Sequence, residues 1–207
     1  FDNGKYAVGQ GEKVLENEFH LSYPFTFEKN NDTYMIPENN KNGCWLYKLE
    51  LKNTNGNSHL EAKKIKKLLS GFATDPTLIS FEGFDYLFVS RLIYESQYVL
   101  NVFISSNIIK EDCKPHPQSP LIVDVNLGRS AGRIFFDEKT KSIIRPSQIC
   151  ENSYGEGIAF SELKLSPKSI VIKQLNDKFI TPRNYREFKK VHHIDKFRNL
   201  TVLDFVR

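Results

Sequence analysis

The sequence has few of the residues that would announce its chemistry. It holds three cysteines, Cys44, Cys113 and Cys150, with no CxxC pair. An odd count without metal-type spacing supports neither a disulfide framework nor a zinc site. All three are read as buried thiols of a reducing compartment, which places the chain in the cytoplasm, with one cross-linked pair left open. No HExxH or HxxxH occurs among the histidines, and no metal is expected. "GQGEK" (9–13) lacks the spacing of a phosphate-binding loop and a helix to follow it. No cofactor is implied. No apolar run reaches ~18 residues, so no membrane span is read. No signal peptide is visible. The net charge of +4 is too small to argue for nucleic acid. The densest basic cluster, "EAKKIKKLL" (61–69), reads as a solvated face. The chain opens on Phe1 rather than Met, which gives the expectation of a piece excised from a longer protein.

What the sequence has in excess is aromatic residues, at 13%, with 16 Phe and 9 Tyr. Such residues favour pleated, half-buried surfaces. "SYPFTFEKNNDTYMIPE" (22–38) reads as a hairpin whose apolar runs flank a polar turn. "TDPTLISFEGFDYLFVS" (74–90) aligns with it without a gap, Pro24 over Pro76 and Tyr34 over Tyr86. A fainter copy, "AGRIFFDEKTKSIIRPSQ" (131–148), sets Gly132 beneath the two prolines. "HHIDKFRNLTVLDFVR" (192–207) is a degenerate fourth return. Hairpins repeating about every 50 residues point to propeller blades.

The fold class expected is all-β, a five-bladed β-propeller, with the start of its first blade outside the chain. A β-sandwich is the competing reading. The chain forms one domain, 1–207. A remnant at 1–20 is followed by blades near 21–70, 71–120, 125–175 and 176–207, and the N-terminal strands could complete the last blade. Segments 43–51, 96–106, 156–166 and 169–175 supply outer strands. In the first of these, Trp45, Tyr47 and Leu49 share one face. The one helical candidate is 59–69, where Ile65, Leu68 and Leu69 have helical spacing and local propensity favours a helix over an irregular strand. Proline at the start of an inner strand costs no ladder bond and pushes the residue before it into an extended conformation.

That geometry nominates site residues. Tyr23 and Asp75 precede the two prolines and would stand at the mouth of a central funnel. Asp75 is either a base or hydroxyl-binding carboxylate, or a turn Asp that caps backbone N–H groups. Glu38 follows Pro37, where pairing ends, and is either aimed at the funnel or a solvated loop Glu. Arg145 in "RPSQ" could hold an anionic group or fix a catalytic acid, or form a blade-to-blade ion pair, and Gln148 follows it. Arg129 and Arg133 are weaker versions of the same idea. "NSYGEG" (152–157) offers Tyr154 and Glu156 as a pocket loop or a tight turn. His20 and His193 are binding candidates, each with a structural alternative. His116, in "KPHPQSP", reads as part of a rigid connecting loop.

"HLSYPFTF", "YMIPE", "GCWLYKL", "TDPTLISFEGFDYLF", "GRSAGRIF", "IIRPSQIC" and "YGEGIAFSEL", in this order and spacing, resemble the N-terminal domain of the glucosamine inositolphosphorylceramide transferase family and its bacterial relatives. The resemblance runs from about residue 5 to the end. That family looks similar in fold to five-bladed propellers of arabinanase and β-fructosidase type glycoside hydrolases. Two departures stand out: the family's further Asp-Pro-Phe blade start and the plant protein's glycosyltransferase domain lie outside this chain.

The resemblance implies a carbohydrate-related propeller that recognises a sugar or nucleotide sugar beside a catalytic domain of the same parent chain, linked to glycan or glycolipid synthesis. The alternatives are a glycoside hydrolase with Asp75 and Glu38 or Glu156 as paired carboxylates, and a non-catalytic platform for protein interaction.

Overall fold

The computed structural model describes residues 12–39, 43–54, 56–94, 97–182, 189–197 and 200–206. Among them there is no helix; the chain is a succession of antiparallel sheets. The first sheet contains β1 (Leu21–Lys29), β2 (Asp32–Asn39), β3 (Cys44–Thr54) and β4 (Asn57–Leu69), in that order. The second contains β5 (Thr74–Phe81), β6 (Phe84–Tyr94), β7 (Gln97–Ser105) and the short β8 (Lys114–Pro115), with β9 (Ile122–Val123) also on β7. The third contains β10 (Phe135–Asp137), β11 (Ser142–Ile149), β12 (Gly157–Leu165) and β13 (Ile170–Ile180). A two-stranded sheet of β14 (Lys190–Phe197) and β15 (Leu200–Val206) follows.

The sequence repeat is a repeat of backbone geometry. Asn30-Asn31 (φ 54° and 63°) and Glu82-Gly83 (φ 47° and 80°) make the two hairpin turns with both residues left-handed, the twist that two-residue hairpins require. The β1–β2 register slips between Ser22 and Phe25, and the β5–β6 register slips between Thr74 and Thr77. Within each bulge sits the residue before proline: Tyr23 at φ 46° and Asp75 at φ 49°. The extended conformation expected there is therefore corrected. The bulge turns both residues to positive φ, and tertiary contacts of their side chains hold them.

The apolar residues lie between sheets. Phe25, Ile36, Leu46 and Leu69 of the first sheet meet Leu78, Leu87, Val89 and Phe103 of the second. Tyr86, Phe88, Leu100 and Val102 of the second meet Ile143, Leu163, Leu165 and Ile170 of the third. A smaller core, Ala131, Ile158, Val191 and Ile194, joins the third to the two-stranded sheet. Full burial of one Leu or Ile contributes roughly 1.5–3 kcal/mol, so these seams dominate the stability of the assembly.

Polar ties add direction. The buried Asp85 carboxylate accepts hydrogen bonds from Lys29 Nζ, Ser80 Oγ (2.6 Å) and Ile108 N (2.7 Å). His116, 1% exposed, bridges the second and third sheets. Its Nδ1 accepts from Gln118 N (3.2 Å) and its Nε2 donates to Ser166 O (3.0 Å), which fixes one neutral tautomer. Arg133 donates to Thr26 O (2.8 Å) and to Asp195 Oδ1 (2.9 Å), tying β1 to β14.

Three local expectations are corrected. Residues 59–69 are strand rather than helix. β4 pairs with β3 from Cys44↔Leu69 to Thr54↔Asn57, and Lys64 Nζ lies 3.6 Å from the centre of the Trp45 ring. This ladder overrides local propensity, and its lysines discourage further strand pairing on the outer edge. Bulges at Cys44/Trp45 and Leu46/Tyr47 break the alternation, so Leu46 and Tyr47 are both buried. The cysteines are free thiols, but only Cys44 is fully buried.

Gly132 (φ 125°) forms a parallel bridge with Ile194, and a Cβ there would lie 1.8 Å from Ile194 O. Gly132→Ala is expected to lower unfolding stability by at least ~3 kcal/mol, because the carbonyl in the way is backbone. Urea unfolding measures the loss.

Candidate functional site

One cavity, of about 510 Å³, draws its walls from all four sheets. Ser22, Tyr23, Pro24 and Glu38 come from the first sheet, and Asp75 comes from the start of β5. Arg129 and Gln148 come from the segment before β10 and from β11. Tyr154 comes from the β11–β12 loop, and His192, His193 and Asp204 from the last hairpin. His20 stands exposed at the edge.

Asp75 is the most connected group in this cavity. Its backbone N donates to Glu38 Oε2 (3.0 Å), so the bulge that turns Asp75 also seats the second carboxylate against it. Its own carboxylate receives a two-pronged bond from Arg129, Nε to Oδ2 at 2.8 Å and Nη2 to Oδ1 at 3.1 Å. Gln148 Nε2 adds a third donor at 3.3 Å and also donates to Ser130 O at 2.8 Å.

Arg129 is delivered by a tight turn. Asp124 Oδ1 accepts from Asn126 N (2.6 Å) and Leu127 N (2.8 Å), and Gly128 N returns to Asp124 O (3.0 Å). The guanidinium then lies over two rings, 4.8 Å from the centre of Tyr98 and 5.3 Å from that of Tyr154, contacts that suit a delocalised cation.

The electrostatics follow from this crowding. Burial pushes the Asp75 carboxyl up to about 7; Arg129 pulls against it, and the neighbouring Glu38 adds to the rise. Burial disfavours the Arg129 cation, but Asp75 outweighs it and the net shift is upward. Burial, with Asp75, also raises the Tyr23 phenol, whose OH shares a 2.8 Å hydrogen bond with Thr77 Oγ1. Burial lifts the Tyr154 phenol to about 12 against the pull of Arg129.

The opposite wall carries two histidines. Successive strand residues normally point to opposite faces. The β14–β15 register slips between Val191 and His193, and this bulge brings His192 and His193 both to the cavity. His193 meets the Tyr23 ring edge-on, 5.0 Å between centroids. His192 Nε2 lies 3.2 Å from Asp204 Oδ2, and its ring is 4.9 Å from that of Tyr154. Burial lowers the pKa of both imidazoles, against the pull of Asp204 on His192 and of Asp195 on His193.

Of the residues expected from sequence, the structure brings together Tyr23, His20, Asp75, Glu38, Arg129, Gln148, Tyr154 and His193. Three are placed elsewhere: Glu156, Arg145, and Arg133, which ties β1 to β14. Glu156 accepts from Asn152 N and Nδ2, both at 2.9 Å, and closes its own turn. These bonds lower its pKa, and it lines a separate hollow with Phe179 and Lys189. Arg145 is fully buried and forms no part of the cavity wall. His192 and Asp204 were not foreseen; the tandem "HH" was their only signal, because alternation would turn one of the pair away. Among the described residues no group of three or more His, Cys, Asp or Glu is placed to hold a metal.

A carboxyl whose folded pKa is near 7 instead of 3.8 binds more protons folded than unfolded between those values. Its contribution to stability is therefore complete below about pH 4 and declines as pH rises towards 7. Carbon-13 NMR of the Asp75 carboxyl is expected to show a midpoint near pH 7, and Glu38→Gln is expected to move it down by removing the like charge.

The profile of the family described as glucosamine inositolphosphorylceramide transferase 1, N-terminal, matches residues 6–204. Glucosamine inositolphosphorylceramide transferase 1 of Oryza sativa subsp. japonica is 31% identical over 196 residues, covering 88% of this chain and 25% of that protein. The Arabidopsis thaliana protein of the same name is 30% identical over 161 residues, covering 75% of this chain and 20% of its own. The chain thus spans about a quarter of the length of the curated relatives it matches.

Among solved structures, CoXyl43 is similar at a TM-score of 0.64 and 11% identity, covering 92% of this chain and 71% of that chain. CoXyl43 is a GH43 β-xylosidase/α-arabinofuranosidase from a compost microbial metagenome, solved with xylotriose. The GH43_1 enzyme from Xanthomonas citri complexed with xylose is similar at 0.55 and 8% identity, covering 92% and 68%. The fold is that of these five-bladed propellers. The chain belongs to the glucosamine inositolphosphorylceramide transferase 1 N-terminal family.

Proposed function

We propose that this propeller recognises a sugar, or the sugar end of a nucleotide sugar, in the cavity around Asp75, and serves a catalytic domain of the same parent chain in glycan or glycolipid synthesis. The observation that carries the reading is how the carboxylates are used. Glycoside hydrolysis needs two carboxyl groups flanking the scissile bond, ~5–5.5 Å apart for retention or ~6.5–9.5 Å for inversion. Here Glu38 sits against the backbone of Asp75, and both Asp75 oxygens already accept from Arg129. Glu156, the other candidate partner, serves its own turn.

The cavity suits sugar binding by hydrogen bonds and ring contacts. Glu38, Ser22 and the two imidazoles offer hydrogen-bonding groups for sugar hydroxyls, and the Tyr154 ring, 44% exposed, offers an apolar surface for a pyranose face. The names of the relatives make amino sugars the first class to try. The hydrolase reading keeps one point in its favour, the raised pKa of Asp75, which suits a general acid.

Titration calorimetry and saturation-transfer NMR with glucosamine, pentoses and a panel of nucleotide sugars are expected to find a ligand. Tyr154→Ala is expected to weaken it about tenfold, equivalent to ~1.4 kcal/mol, with the fold intact. Release of aryl alcohol from aryl glycosides by the chain, abolished in Asp75→Asn, would overturn the binding reading in favour of hydrolysis.

A further inference from the structure

Arg145 lies on β11 between the second and third sheets. It shares a face of its strand with Ile143, which packs against Tyr86, Phe88 and Leu100 of the second sheet. The residue is 0% exposed. One of its donors is used, Nη1 to Leu127 O at 2.9 Å. Nε and Nη2 are buried with no acceptor among the described residues. No carboxylate forms an ion pair with it among those residues, and the oxygens of Asp75 are taken by Arg129 and Gln148.

A second observation comes from the ladder. Ser161 is the register partner of Arg145 on β12, so both side chains face the same space. The Ser161 hydroxyl is buried with no partner among the described residues. Ser130, bridged to Ser147 two residues along the same face, presents a second buried hydroxyl in the same condition.

A guanidinium does not neutralise itself near pH 7, and an isolated buried charge is costly. Removing that cost takes negative charge or hydrogen-bond acceptors beside Nε and Nη2. We propose that the seam between the second and third sheets binds a small monovalent anion, chloride, on Arg145 Nε and Nη2, with the Ser161 and Ser130 hydroxyls as further donors. Arg145 is fully buried and lines no part of the cavity, which disfavours a substrate group and bulky oxyanions such as phosphate. The anion would be a structural ligand within that seam.

The test is thermal unfolding of the chain in sodium chloride against sodium gluconate at equal ionic strength. It is paired with anomalous diffraction from crystals grown in sodium bromide. A ligand that binds only the folded state raises Tm as its concentration passes Kd. Chloride at about ten times Kd is expected to raise Tm by about 3–6 °C over gluconate, with a bromide peak within hydrogen-bond reach of Arg145 Nε or Nη2. Arg145→Met is expected to abolish the chloride dependence. If it does not fold, the bromide map of the wild-type chain decides alone. Equal Tm in the two salts together with no bromide peak at Arg145, or an ordered water there instead, would overturn the proposal.

Discussion

Four segments of chain are held in register by one residue, Asp75. Asp75 takes the guanidinium of Arg129 and the amide of Gln148, and its own N–H fixes Glu38. Those partners come from the end of β2, the segment before β10 and the end of β11. The cavity exists where it does because these ends are drawn to one point. The arrangement needs Asp75 at positive φ, which needs the bulge, and the bulge is set by the Asp-Pro start of β5. Tyr23 repeats the device on β1, but with a phenol in place of a carboxylate; its hydroxyl reaches Thr77, two residues beyond Asp75. At the position before proline the two copies carry Tyr23 and Asp75, and that difference makes one a neutral brace and the other a charged anchor.

Around this point the sheets have little interior of their own. Their apolar faces are completed only by the next sheet, as the Phe25–Leu87 and Phe88–Ile143 seams show. Arg133 crosses from the third segment to β1 and β14, so the ends of the series meet near the cavity. A polar site at the meeting point of apolar seams is favourable electrostatically: the seams exclude water, and each hydrogen bond to Asp75 gains strength from the lower dielectric.

Much of this was legible in the residues. The gapless match of 22–38 with 74–90 announced repeating hairpins, and the positions before and after proline named Tyr23, Asp75 and Glu38. Three kinds of fact were not legible. Bulges shift a strand by one residue without a mark in the composition, which is why His192 came unannounced and why Leu46 and Tyr47 share the interior. Long-range ladders overrule local propensity, as β3 does for the lysine-rich 59–69 segment. Competition among acceptors is invisible in one dimension: Glu156 and Arg145 had the right chemistry, but Asn152 and the seam between two sheets claimed them first.

The first two sheets are joined at both ends of their inner strands. Glu38 meets Asp75 at one end, and Lys29 meets Asp85 at the other. With the broad apolar seam between them, this removes the hinge and twist freedoms of the pair. Among the described residues the β14–β15 unit has a smaller seam, with Ala131, Ile158, Val191 and Ile194 buried and Phe160, Ile180, Leu203 and Phe205 partly buried around them. The cavity consequently has a stiff jaw bearing the carboxylates and a compliant jaw bearing the histidines. Any adjustment of the cavity's width falls to the histidine side, while Asp75 is held by Arg129, Gln148 and Glu38.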